Sequence, residues 1–280
     1  MFSESKLVRY DYEALTGSDK IRTIHLHATK DRIECSIQQI SVTEGGYQAL
    51  SYVWGSEETP FKAVIIDANK QELGYVPLTE NLQSALCDLR DALEIKNKVF
   101  RIDEICINRE GDEKSNQVAM MGDIYQNESR AISYVSPAVP DEKEQAGICL
   151  LQRLDKHFEL NYDFIYGNYN LRNIIQTILE LPVQEIPEDL QVSGEESEED
   201  VGRHVKQSWR WLYQVANDKS MQRLWIVQDQ LLNRQIIMLH GPSILFWDAV
   251  AAMNILFHLS TLPSRYQELE LHCQTTSRPH

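Results

Sequence analysis

Trp225 and Asp229 stand four residues apart, with Gln228 between them, so a helix over this stretch puts an indole and a carboxylate on one face. A pair of that kind borders a single cleft. A second group lies in the string R-I-D-E-I-C-I-N from Arg101 to Asn108, where Asp103, Cys106 and Asn108 follow an apolar run. Their carboxylate, thiol and carboxamide are groups able to take part in hydrogen bonds. Cys106 as a nucleophile would need a His or Asn partner, which the sequence does not assign, so a small core thiol is the simpler reading. The third group, Ala49 to Gly55, offers the rings of Tyr52 and Trp54, with Gly55 ending the run. Glu113 and Gln117 are also four apart and read as structural, capping a helix or binding its neighbours. His25 and His27 alternate onto one strand face without an evident third ligand, which argues against a metal. The chain carries no G-x-x-x-x-G-K-[ST] loop, G-x-G-x-x-G, G-x-S-x-G or H-E-x-x-H, so nucleotide-loop, serine-hydrolase and zincin chemistries are set aside.

Parallel strands joined by helical crossovers would position these groups. Ile21 to Leu26, Arg32 to Ile37, Tyr47 to Trp54 and Ala63 to Ile66 are short β-rich runs, read as a small antiparallel element followed by a buried strand. Ala49 to Trp54 is apolar or small on both alternating faces, as a strand covered on both sides requires. Leu82, Leu86, Leu89 and Leu93 form one stripe of a helix beginning near Thr79 or Asn81. Val99 to Ile107 reads as strand. Asp112 is placed to cap a helix with Val118, Met121 and Tyr125 on one face, and Ala131 to Val135 is another buried strand. Beyond residue 141 the pattern turns helical over Ala146 to Phe158, Leu171 to Leu181, Val205 to Ala216, Met221 to Leu232 and Phe246 to Leu259. Gln235 to Leu239 is a strand ahead of the Gly241-Pro242 turn. Trp209 and Trp211, with Leu212 and Val215, suit helix packing or an interface. The expected fold class is α/β: one domain over residues 1–280, with an N-terminal antiparallel β element and extra C-terminal helices.

Composition narrows the function classes. The 280 residues are 42% apolar and carry a net charge of −15, which opposes binding to a phosphate backbone, so no nucleic-acid partner is expected. Eight of those charges lie between Glu185 and Asp200, leaving about −7 for the rest, and residues 182–202 read as a solvated, disordered acidic insertion. Five cysteines without a C-x-x-C pair fit a reducing compartment. With no apolar leader and no stretch of about 20 apolar residues, a cytoplasmic protein without a membrane span is expected.

Several separated strings together resemble the fungal heterokaryon-incompatibility (HET) domain. They are Y-Q-A-L-S-Y-V-W-G at Tyr47 to Gly55, R-I-D-E-I-C-I-N at Arg101 to Asn108 with E-K-S-N-Q-V at Glu113 to Val118, and R-L-W-I-V-Q-D at Arg223 to Asp229. Minor matches are Y-D-Y-E-A-L at Tyr10 to Leu15, Ile21-Arg22, L-T-E-N-L at Leu78 to Leu82, Ile124-Tyr125 and His240-Gly241. The resemblance implies a role in fungal non-self recognition and programmed cell death. It further implies distant kinship with TIR domains, hence a flavodoxin/TIR-like parallel sheet flanked by helices and a ligand cleft beyond the strands' carboxyl ends. Some TIR domains cleave NAD at the nicotinamide glycosidic bond with a carboxylate four residues after a tryptophan. Carried onto this chain, Asp229 is the catalytic residue, stabilising oxocarbenium-like charge. Tyr52, Trp54, Gly55, Asp103, Asn108, Trp225 and Gln228 are then the substrate-binding set. NAD enters as substrate, with no cofactor, and homo-oligomers or another incompatibility protein are the expected partners.

The chain departs from the family at Arg101, usually Trp, at Glu104, usually Ala, at Arg109, usually Gln, and at Glu128, usually small. Where the family usually has Glu, Asp229 retracts the carboxylate by about 1.5 Å, and misplacement by ~1 Å can cost ~100-fold in rate. The alternative expectation is therefore a non-catalytic HET-like module for self-association or partner binding.

Overall fold

The computed structural model describes residues 7–109, 113–136, 144–149, 151–152, 211–212, 214–215, 235–247 and 249–250. The chain divides into two units, Met1–Val139 with Gln222–Ile244, and Pro140–Met221 with Leu245–His280. In the second unit, residues 144–149 are helical, and Gly147 is the point of contact: a methyl group there would come within 2.3 Å of the Trp211 indole. Trp211, Leu212 and Val215 are buried, so this cluster is packing. Trp209, Asp112, the acidic stretch 182–202 and the helices expected over 171–181 and 221–232 lie outside the described residues.

The first unit is built on a mixed sheet. Its strands are β1 (Lys20–Leu26), β2 (Ile33–Ser41), β3 (Gln48–Ser51), β4 (Phe61–Ile66), β5 (Glu72–Leu78), β6 (Val99–Arg101), β7 (Arg130–Ser136), β8 (Ile236–His240) and β9 (Ser243–Phe246), the last of which begins in this unit and runs past its boundary at Ile244. Their order is β5-β4-β2-β1-β6-β3-β7-β8-β9. β3 pairs in parallel with β6 and β7, and β7 with β8. Counted from β3, these four run 2-1-3-4, the beginning of the flavodoxin-like order. The antiparallel element belongs to the same sheet, because β1 pairs antiparallel with both β2 and β6. Within that half β2 and β4 are parallel.

Alternation along β3 explains why it lies at the centre. Leu50 and Tyr52 point to one face, with Ile132, Tyr134, Ile237 and Leu239. Helix α1 (Glu80–Asp91) covers that face through Leu82, Ala85, Leu86 and Leu89. Tyr47 and Ala49 point to the other, beneath Met121, Ile124 and Tyr125 of α4 (Met121–Asn127). Burying each large apolar side chain contributes about 1.5–3 kcal/mol.

Four expectations need correction. The strand expected to reach Trp54 stops at Ser51, and Val53 and Trp54 are 42% and 48% exposed. α1 ends at Asp91, which leaves Leu93 outside the stripe and 83% exposed. The strand expected over Val99 to Ile107 ends at Arg101 and passes into the short helix α2 (Asp103–Cys106). Ile102, Ile105 and Cys106 are all buried, and their spacing of three and four is a helical period inside an apolar run. The helix expected to carry Val118, Met121 and Tyr125 breaks at Met120, between α3 (Glu113–Ala119) and α4. Gln117 turns inward there, and Val118 is left 49% exposed.

β5 and β9 went unread. β5 contains Gly74 and Pro77, tolerable because it is a sheet edge. Gly74 also admits the N-terminal arm. Its φ is +151°, and a methyl group would lie 2.8 Å from the Tyr10 Cα and 2.9 Å from the Val8 carbonyl oxygen. The Tyr10 amide donates to the Tyr75 carbonyl at 2.8 Å, and the Tyr75 amide donates to Val8 at 2.9 Å. Gly74→Ala is therefore expected to undock the arm at a cost of about 1–3 kcal/mol. Hydrogen exchange at the Tyr10 and Tyr75 amides reads this directly, and unchanged protection would contradict it.

Candidate functional site

Among the described residues, the expected site groups Tyr52, Trp54, Gly55, Asp103 and Asn108 follow the carboxyl ends of β3 and β6. After Ser51, Tyr52 stays buried while the chain turns outward through Gly55, whose φ is +72°. Asn81 holds this turn by donating from Nδ2 to the Val53 carbonyl at 2.8 Å. A methyl group on Gly55 would fall 2.7 Å from that same nitrogen, so a residue with no side chain fits here. Thr79 caps α1, its hydroxyl accepting from the Leu82 amide at 3.4 Å. The L-T-E-N-L string thus both starts a helix and braces the turn after β3.

Beyond β6, α2 presents Glu104 inward. Its carboxylate accepts the Tyr52 hydroxyl at 2.5 Å, and the Thr79 amide and hydroxyl at 3.3 and 3.5 Å. Burial, then the adjoining carboxylate, pushes the Tyr52 phenol far above its ordinary value, so the ring remains a neutral donor. Cys106 is fully buried, and burial raises its thiol. That leaves it in the core, as expected.

The loop after α2 is fixed by a buried ion pair. Both Arg22 guanidinium ends donate to Glu113, the Nη2 to Oε2 contact being 3.0 Å. Arg22 also donates to the Cys106 carbonyl at 3.2 Å and the Glu13 carbonyl at 2.6 Å. The Asn108 amide donates to Glu113 at 2.9 Å, while Tyr12 lies 5.1 Å beneath the guanidinium and donates its hydroxyl to Ile105. Gln117 accepts from Arg101 at 3.1 Å and donates to the Lys20 carbonyl at 3.0 Å. Glu113 and Gln117 are thus structural, as their spacing suggested. The departures Arg101 and Glu104 are buried, and only Arg109 of that motif alters the surface.

Two clefts flank this loop. The first, about 380 Å³, is lined by Ser51, Tyr52, Trp54, Asp103, Arg109 and Lys114 over a floor that includes Leu50 and Met121. Arg109 stacks 5.0 Å above the Trp54 ring. The second, about 360 Å³, contains Tyr10, Tyr12, Tyr75, Glu104, Asn108 and Arg109. The fold therefore brings Tyr52, Trp54 and Asp103 to one cavity, with Gly55 in the adjoining turn, and Asn108 to the other. Trp225, Gln228 and Asp229 lie outside the described residues. Glu104, Arg109 and Lys114 were not chosen as site residues. The signal available for Glu104 and Arg109 was that each puts a charge where the family usually has none. Among the described residues no cluster of His, Cys, Asp or Glu could hold a metal ion; the His25 and His27 rings pack edge to face at 4.8 Å, and His27 Nε2 lies 3.3 Å from the Ser36 hydroxyl.

An α/β sheet with polar and aromatic residues gathered beyond its parallel strand ends defines the general class. Residues 47–229 match the family model described as heterokaryon incompatibility protein (HET), and the chain belongs to that family. It is 26% identical over 278 residues to the Neurospora crassa protein named heterokaryon incompatibility protein 6, OR allele. That match takes in 90% of this chain and 38% of the relative's length. No solved structure matches the chain. Among the described residues no helix is long and apolar enough to cross a membrane.

Proposed function

We propose that this chain is the effector domain of a cytoplasmic fungal incompatibility protein, acting in non-self recognition and programmed cell death by hydrolysing NAD at the nicotinamide glycosidic bond. The observation that carries the reading is the first cleft, at the carboxyl ends of β3 and β6. In α/β sheets ligands bind in that position. Arg109 and Lys114 provide positive charge for phosphates, Trp54 and Tyr52 provide ring surfaces, and Asp103 provides a hydroxyl acceptor. Asp229 is assigned as the carboxylate that stabilises the developing positive charge, through the family pattern alone.

The test is nicotinamide release from NAD by concentrated purified protein, alongside Asp229→Ala and Asp229→Glu. Wild type should release nicotinamide slowly, the Ala variant about 100-fold more slowly, and the Glu variant faster than wild type. No release from any of the three removes the catalytic reading.

A second reading, a non-catalytic module for self-association or docking to another incompatibility protein, draws support from the apolar rim of the same cleft. Trp54 and Val118, which line it, are each more than 40% exposed, as is Val53 next to Trp54 in the chain. A chain that sediments only as a monomer at high concentration would remove self-association.

A further inference from the structure

Glu104 has an unusual set of partners for a buried carboxylate. It is 8% exposed, and its three hydrogen bonds come from neutral donors, the Tyr52 hydroxyl and the Thr79 amide and hydroxyl. No Lys, Arg or His among the described residues forms an ion pair with it. Burying a carboxylate without a counter-charge is costly, and a cation supplied from outside relieves that cost. Glu104 meets the outside through the second cleft, which it lines with Tyr10, Tyr12 and Tyr75. Two rings of the lining each hold one of the protein's own cations, Arg22 at 5.1 Å from the Tyr12 centroid and the Lys62 ammonium at 4.4 Å from that of Tyr75, and neither cation is itself part of the lining. The cleft's own cations, Arg9 and Arg109, are exposed at its mouth, where solvent weakens them relative to the buried carboxylate.

We infer that the second cleft is a binding site for a ligand bearing a cationic ring or ammonium group, with Glu104 as the buried counter-ion. The cation points inward, against Glu104 and Tyr10. Any anionic portion lies toward Arg9 and Arg109. Arg109 lines both clefts, so one guanidinium serves the phosphate side of the first cavity and the mouth of the second. For a nicotinamide nucleotide, which enters only if the NAD reading above holds, the site selects the oxidised form, whose ring is positively charged, over the reduced form, whose ring is neutral.

The experiment compares 1-methylnicotinamide, a cation, with nicotinamide, its neutral counterpart, by calorimetric titration of the 280-residue chain. Wild type should bind the cation about tenfold more tightly. Glu104→Gln, which keeps the shape and removes the charge, should abolish the preference, as should Glu104→Ala, which restores the residue usual in the family. Equal binding of the two probes by wild type, binding of neither, or a preference that survives Glu104→Gln overturns the inference. Equal binding or no binding by wild type overturns the inference even if a variant fails to fold. A chain that prefers the cation yet releases no nicotinamide from NAD keeps the site and loses the catalytic reading, so the two failures are distinguishable.

Discussion

Arg22→Ala should destabilise the first unit by about 3–5 kcal/mol, measured as a fall in the urea midpoint of the circular dichroism transition. Arg22 is 2% exposed, and its removal strands the Glu113 carboxylate, itself only 15% exposed. The loss exceeds one ion pair, because the Cys106 and Glu13 carbonyls lose their guanidinium donors as well. Arg32 provides the contrast. It also meets two carboxylates, Glu34 at 2.6 Å and Glu72 at 2.7 Å, but is 46% exposed, so solvent screens it and Arg32→Ala should cost below about 1 kcal/mol. Equal losses in the two variants would mean that burial confers no special weight on the Arg22 pair. A double-mutant cycle with Glu113→Ala should show strong coupling, the second substitution costing much less than the first.

That pair also shows what a sequence can and cannot disclose. Ile21-Arg22 and Glu113 were each visible as matches to a family pattern, 91 positions apart in the case of Arg22 and Glu113. Only the sheet reveals that they touch. Elements whose apolar residues kept one period were legible: the Leu82, Leu86 and Leu89 stripe, the two covered faces of β3, and the parallel crossovers. Where the period changed within an apolar run, as between β6 and α2, hydrophobicity alone carried no boundary. Exposure defeated the reading at Trp54 and Leu93, since an apolar residue looks the same in a sequence whether buried or not. The candidate site was legible in part. Tyr52, Trp54 and Asp103 do share a cavity, but Asn108 faces a second one, because the loop that holds it is pinned to Glu113. Glu104 was legible only as a departure. Its partners Tyr52 and Thr79 lie 52 and 25 residues away, a proximity that follows from strand order and not from spacing.

Phe100→Ala is the second large effect expected, about 3–5 kcal/mol, and its consequences should reach both halves of the sheet. β6 has only three residues, yet it joins the antiparallel and parallel halves: Phe100 is registered with Ile24 of β1 on one side and Gln48 of β3 on the other. Its ring is fully buried in the core that α1 covers. A cavity there cannot be refilled from one side alone, so amide protection in β1 and β3 should fall together under native-state hydrogen exchange. Leu93→Ala, at an 83% exposed position, should change stability by less than about 0.5 kcal/mol. If the β1 amides lost protection while β3 kept its own, the two halves would be separate cooperative units and β6 merely a neighbour to both. The effect should extend to ligand recognition, since only Ile102 separates β6 from Asp103 and Glu104, which line the first and second clefts respectively. Loosening β6 shifts the start of α2, and the Tyr52 to Glu104 hydrogen bond spans from the end of β3 to that helix. At temperatures where the variant remains folded, its preference for a cationic ring should therefore already be weaker than that of wild type.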